Sequence, residues 1–181
     1  MKGIVFTEFL ELVEEKFGLE VVDEIIEKSQ LKSQGIYTAI GTYEFSEMLQ
    51  LLNHLSDNTG ISIDNLLLVY GEHLFSVLDK SYPSLMASYN DPIEMLSSIE
   101  NHIHIEVRKL YEDAELPKFT NVLQTKNKLV INYTSQRELA HFAIGLIKET
   151  LGHFNKQGAI SMEKLTNQDH TTQFTIEIHE Q

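Results

Sequence analysis

The hydrophobic pattern changes period at Pro117, and that change constrains the fold more than any other feature of the chain. Before it, apolar residues recur every three or four positions; after it, they fall in short apolar or alternating runs. The first spacing belongs to helices and the second to strands. A chain with its helices first and its hairpins last is expected to be α+β, with helices packed against an antiparallel sheet.

The elements follow from the same spacing. Phe6, Phe9, Leu10, Val13 and Phe17 predict an opening helix that ends near Gly18, and a short helix follows from about Glu20 to Ser29. After a break from Gly35 to Gly41, Met48, Leu49, Leu51, Leu52 and Leu55 mark a helix ending at Asn58-Thr59-Gly60, and Ile61 to Leu78 reads as a longer, largely buried helix. Pro83 and Pro92 punctuate the next stretch. Asp91-Pro92 has the form of an N-cap with proline at the first helical position. Phe119 to Leu123 and Leu129 to Tyr133 read as one hairpin around Lys126-Asn127-Lys128, and Ala159 to Leu165 with Gln173 to Ile178 as a second. A helix from about Arg137 to Phe154 separates them. The expected architecture is one domain over 1–181, with a helical N-terminal subdomain over about 1–60 and a C-terminal four-stranded antiparallel sheet carrying one inserted helix.

Composition narrows the partners. A formal net charge of −13 repels phosphate backbones and anionic lipid, so neither nucleic acid nor a membrane is expected as a partner. No apolar run approaches the length of a membrane span, and Glu8 stands where a signal peptide would be apolar, which gives an expected cytoplasmic location. The absence of cysteine excludes disulfides, thiolate metal sites and covalent C-x-x-C-H haem attachment. The eight histidines form no H-E-x-x-H and no pair at i, i+4, so a zinc hydrolase has little support.

Two constellations remain. The helix opened by Pro92 carries Ile93, Leu96, Ile99, Ile103, Val107 and Leu110 as one stripe expected to face the core. His102 and His104 flank that stripe, each roughly 100° from its centre, so the two cannot chelate one metal and periodicity does not choose between them. Tyr133, Ser135 and Arg137 would share one face of an extended backbone. Two hydroxyls and a guanidinium so placed suit carboxylates, which Arg grips bidentately. Ser135 and Glu138 also fit a capping box for the helix that follows.

Taken together, the opening Met1-Lys2-Gly3, the run from His104 through Tyr111 to Pro117, Tyr133-x-Ser135-x-Arg137 and the later Gly145-Leu146 resemble the H-NOX family. These are haem-nitric oxide/oxygen binding domains related to the haem domain of soluble guanylate cyclase. The resemblance spans essentially the whole chain. It implies a non-covalent haem b held between the helical part and the sheet, with an axial histidine thirteen residues before a proline that presses on the haem; that spacing selects His104 and Pro117. It makes Tyr133, Ser135 and Arg137 the propionate clamp and sets Val5, Phe9, Leu74, Leu78, Phe142 and Leu146 around the sixth coordination position.

Family members that hold O₂ carry a distal tyrosine. Phe142 stands in its place here, and Leu74 replaces a supporting polar residue. Bound O₂ needs a hydrogen-bond donor and NO does not. The resemblance therefore implies a sensor of NO, binding CO as well but not O₂, in which NO breaks the bond from iron to His104. The output would pass to a separate protein, a histidine kinase or a diguanylate cyclase or phosphodiesterase, and the chain itself would not be an enzyme. The alternatives are a peroxidase-like haem enzyme, which wants a distal acid–base group, and a haem-free module binding a small molecule or partner in an apolar cavity.

Overall fold

The structure is a computed structural model that describes residues 1–179, so the last two residues of the 1–181 span lie outside it. Five helices precede the stretch opened by Pro92: α1 (Gly3–Phe17), α2 (Leu19–Lys28), α3 (Phe45–Thr59), α4 (Ile63–Ser81) and the single-turn α5 (Pro83–Met86). Local chemistry fixes their ends. Ser62 caps α4 by accepting the Asn65 N–H, and α3 stops at Gly60, whose φ of 73° suits glycine. One apolar cluster joins Phe6, Phe9, Leu12 and Val13 of α1 to Val22 and Ile25 of α2, Leu51 and Leu55 of α3, and Leu66, Tyr70 and Leu74 of α4.

The stretch from Pro92 is not the single helix that its stripe predicts. It breaks into α6 (Pro92–Ser97), a π-helical turn (Ile99–Ile103) and α7 (His104–Leu110). Asp91 caps α6 by accepting the Glu94 N–H at 2.9 Å, with Pro92 at its first position. In the wide turn the Ile103 N–H reaches back to Ser98 O and the His104 N–H to Ile99 O. The extra residue rotates everything downstream. Ile93 and Leu96 are buried as expected, but Ile99, Ile103 and Val107 are half-buried and Leu110 is exposed. His104 turns inward from the predicted edge of the stripe and is buried.

The remaining elements are β1 (Lys118–Gln124), β2 (Lys128–Thr134), α8 (Ala140–His153), β3 (Gly158–Lys164) and β4 (Thr171–Ile178). The four strands form an antiparallel sheet in the order β1-β2-β4-β3. In the central pair, Leu129 faces Ile176 and Ile131 faces Phe174, all buried. Ala143, Ile147 and Leu151 of α8, spaced four apart, pack on this face with Ile93 and Leu96 of α6. The opposite side of α8 lies on α4, where Gly71 and Gly145 meet backbone to backbone. Among the described residues no single helix is long and apolar enough to cross a membrane.

The capping box expected at Ser135 and Glu138 does not form. Strand β2 ends at Thr134 and α8 begins only at Ala140, without a side-chain cap, while Glu138 sits in a turn with φ 48°. The Ser135 hydroxyl instead accepts the Arg137 N–H at 3.2 Å, the local turn that serines favour.

Candidate functional site

His104 opens α7 with its imidazole buried, and burial lowers its pKa against the raising influence of Glu100. Burial thus favours the neutral ring, the form that binds metals. Its Nδ1 is 3.4 Å from Glu100 Oε2 but has no hydrogen-bond partner among the described residues. His102 is committed elsewhere: its Nδ1 lies 2.6 Å from the Tyr89 hydroxyl.

A row of rings leads from His104 toward the second constellation. Phe119, two residues past the half-buried Pro117, lies 5.7 Å from the His104 ring and 5.4 Å from that of Tyr133, which in turn lies 5.9 Å from Phe174. Tyr133 is buried, burial raises its pKa, and its hydroxyl accepts the Leu139 N–H at 3.2 Å.

Tyr133, Ser135 and Arg137 do not share one extended face, because the chain leaves the strand after Thr134. The turn brings them near one another by another route, through the Ser135–Arg137 bond and the Tyr133–Leu139 bond. Arg137 grips Glu115, donating Nη1–H to its backbone oxygen at 2.8 Å and Nη2–H to its carboxylate at 2.5 Å. Its guanidinium also lies 6.0 Å from the Phe45 ring, at a groove of about 600 Å³ bordered by Met1, Lys2 and Thr42.

The apolar residues converge from α1, α4 and α8. Phe9 and Leu74 are buried in the N-terminal cluster, and Val5, Leu78 and Phe142 pack against it. Leu146 falls in a neighbouring cluster with Phe75, Met86, Tyr89 and Met95, which it shares with Leu78 and with Ile103, the residue before His104. Tyr70 lies between Phe9 and Phe142, its ring 5.4 Å and 5.1 Å from theirs, and its hydroxyl donates to Val5 O at 2.5 Å.

Periodicity and motif spacing did not single out Glu100, Phe119, Glu115 or Tyr70. Glu100 was within reach of a spacing argument, being one helical turn before His104. Phe119 and Glu115 become visible only once β1 is paired with β2.

These features define an α+β protein that presents a buried imidazole, its neutral form favoured by burial, and a carboxylate-gripping arginine. Among the described residues no group of three or more His, Asp or Glu side chains could hold a metal ion.

Residues 2–162 match the family described as Haem-NO-binding. An H-NOX protein of K. algicida, solved as unliganded Fe(II) protein, is 58% identical; the match covers 100% of this chain and 98% of that one, with a TM-score of 0.96. An H-NOX protein of S. oneidensis in the Fe(II)NO ligation state is 26% identical, with 99% and 100% covered and a TM-score of 0.90. Soluble guanylate cyclase gcy-35 of Caenorhabditis elegans is 21% identical over 98% of this chain, which spans 26% of that protein's length. The chain belongs to the haem-NO-binding, or H-NOX, family of haem-based gas sensors. Such domains are sensor modules rather than catalysts.

The residues present fit a haem. His104 offers a buried imidazole whose neutral form burial favours, and Arg137 already holds a carboxylate, the chemical group of a propionate.

Proposed function

We propose that this chain is a nitric oxide sensor that holds a non-covalent haem b through His104. Residues 1–181 would act as one haem-binding unit, with Tyr133, Ser135 and Arg137 holding the propionates and Pro117 pressing on the haem face. When bound, the haem would supply a ferrous iron able to take NO or CO, and His104 would be the protein group whose hold on it NO loosens. The protein residues do the rest. His104 tethers α7 to the cofactor, and loss of that tether frees α7 and the segment leading to Pro117. A ligand shifts a protein only through its differential affinity for two conformations, and release of His104 provides that difference.

The observation that carries the choice of NO is the chemistry of the apolar set. Val5, Phe9, Leu74, Leu78, Phe142 and Leu146 have no side-chain donor. The Tyr70 hydroxyl, packed against Phe9 and Phe142, is spent on Val5 O. Bound O₂ would find no donor there, whereas NO requires none. The lack of an acid–base group in this set also argues against a peroxidase-like enzyme. We place the sensor in the cytoplasm and assign its output to a separate signalling protein, a histidine kinase or a diguanylate cyclase or phosphodiesterase.

The test is the absorption spectrum of reduced protein with and without NO. A five-coordinate nitrosyl spectrum, with no stable oxy spectrum in air, is expected. His104→Gly should lose haem unless imidazole is supplied, and His102→Gly should keep it. Protein with no Soret band after reconstitution with haemin overturns the reading, and a stable oxy complex overturns the ligand choice.

A further inference from the structure

We propose that Glu100 is a positioning residue for His104, its carboxylate taking the imidazole Nδ1–H and setting how firmly Nε2 binds iron. The inference rests on His104 as the axial ligand and goes on to what stands behind it. An imidazole that binds metal through Nε2 carries its proton on Nδ1, so Nδ1 needs an acceptor. Here Nδ1 is buried, has no hydrogen-bond partner among the described residues, and lies 3.4 Å from Glu100 Oε2. An ionised carboxylate only accepts hydrogen bonds, which suits that role.

Glu100 is itself held in place. Its Oε2 accepts the Phe119 N–H at 3.1 Å, and its Oε1 lies 3.8 Å from Arg108 Nη2. The carboxylate therefore links three parts of the site: the π-helical turn on which it sits, the imidazole one helical turn on, and strand β1 just past Pro117. A negative acceptor makes the imidazole a stronger donor to iron and raises the barrier to its release. Arg108 opposes this by drawing charge from the same carboxylate. The pair would thus tune how readily NO frees α7.

The test is resonance Raman spectroscopy of the reduced, haem-loaded protein, which reads the iron–histidine stretch directly. Glu100→Gln keeps an acceptor for the Phe119 N–H but removes the charge, and should move that band to lower frequency. Arg108→Gln releases the carboxylate and should move it to higher frequency, a reversal that a merely structural role for Glu100 would not produce. Glu100→Gln should also speed haem transfer to excess apomyoglobin by about tenfold.

A haem-loaded Glu100→Gln protein with an unshifted band overturns the proposal while leaving His104 as ligand. A wild-type protein with a Soret band but no iron–histidine band overturns the assignment of His104 and the proposal with it. Should Glu100→Gln fail to fold, Arg108→Gln decides: an upward shift supports the proposal, and an unshifted band overturns it.

Discussion

The contact between α4 and α8 is the most exacting piece of packing near the candidate site, and Gly145→Ala tests it. A Cβ at Gly145 would lie 2.2 Å from Leu68 O, 2.8 Å from Glu72 N and 2.9 Å from Gly71 Cα. All three are backbone atoms, so no flexible side chain is there to yield. Restoring ordinary contact, which begins near 3.4 Å, requires the helices to part by roughly 1 Å. Overpacking of this kind costs about 1–3 kcal/mol, and the rigid neighbours place this case at the upper end. Against it, alanine gains about 1 kcal/mol in helix propensity. The expected net loss is about 2 kcal/mol, which for a chain of this size lowers Tm by roughly 4–8 °C. Thermal melts by circular dichroism at matched haem content measure it, since bound ligand adds its own stabilisation. A variant that melts at or above wild type refutes the close approach of α4 and α8. The neighbours of Gly145 in the candidate site, Phe142 and Leu146, lie on the same helix, so the strain should also reach the apolar set.

Two further outcomes follow from the charged contacts. Asp113 accepts from the Thr42 hydroxyl at 2.6 Å and from Lys2 at 2.9 Å, and these bonds hold its carboxyl down at about 2 from an ordinary 3.8. A carboxyl lowered on folding stabilises above its unfolded pKa and loses that contribution as pH falls toward the folded value. In urea unfolding, the deficit of Asp113→Asn relative to wild type should be complete at neutral pH and shrink between about pH 4 and pH 2; a deficit constant over that range refutes it. Arg137→Ala removes charge-assisted bonds worth about 1.5–3 kcal/mol to a carboxylate, so haem transfer to apomyoglobin should be about tenfold to a hundredfold faster. Unchanged transfer kinetics would remove Arg137 from the clamp.

Most of the fold could be read because it rests on local patterns. The strands lie within a residue or two of their predicted runs, because Leu129, Ile131 and Tyr133 of β2 and Phe174 and Ile176 of β4 alternate as a sheet face requires, although Val130 is buried as well. The helix from Pro92 was misread for a physical reason. Its stripe fits a 3.6-residue period throughout, and nothing in the residue types announces that the ladder widens between Ile99 and Ile103. That single inserted residue takes His104 from the flank to the interior, which periodicity alone could not resolve. The turn at Ser135 was misread because a serine three residues before a glutamate suits a cap, while tertiary contacts give that serine to Arg137 and that glutamate to Lys164 and His170.

The contacts around the segment between His104 and Pro117 suggest why the site depends on the whole chain. Beyond α7 this segment has little regular structure of its own, and two of its acidic side chains help to fasten it. Asp113 ties it to Lys2 and Thr42 of the N-terminal part, and Glu115 ties it to Arg137 at the turn between β2 and α8. Glu100 adds a third tie, joining the π-helical turn to Phe119 on β1. Motion of α7 would therefore be felt at the first residues of the chain and at the candidate propionate clamp together. The widened turn before His104 offers such motion little packing to break, because its bonds span an extra residue and none of its five residues is buried.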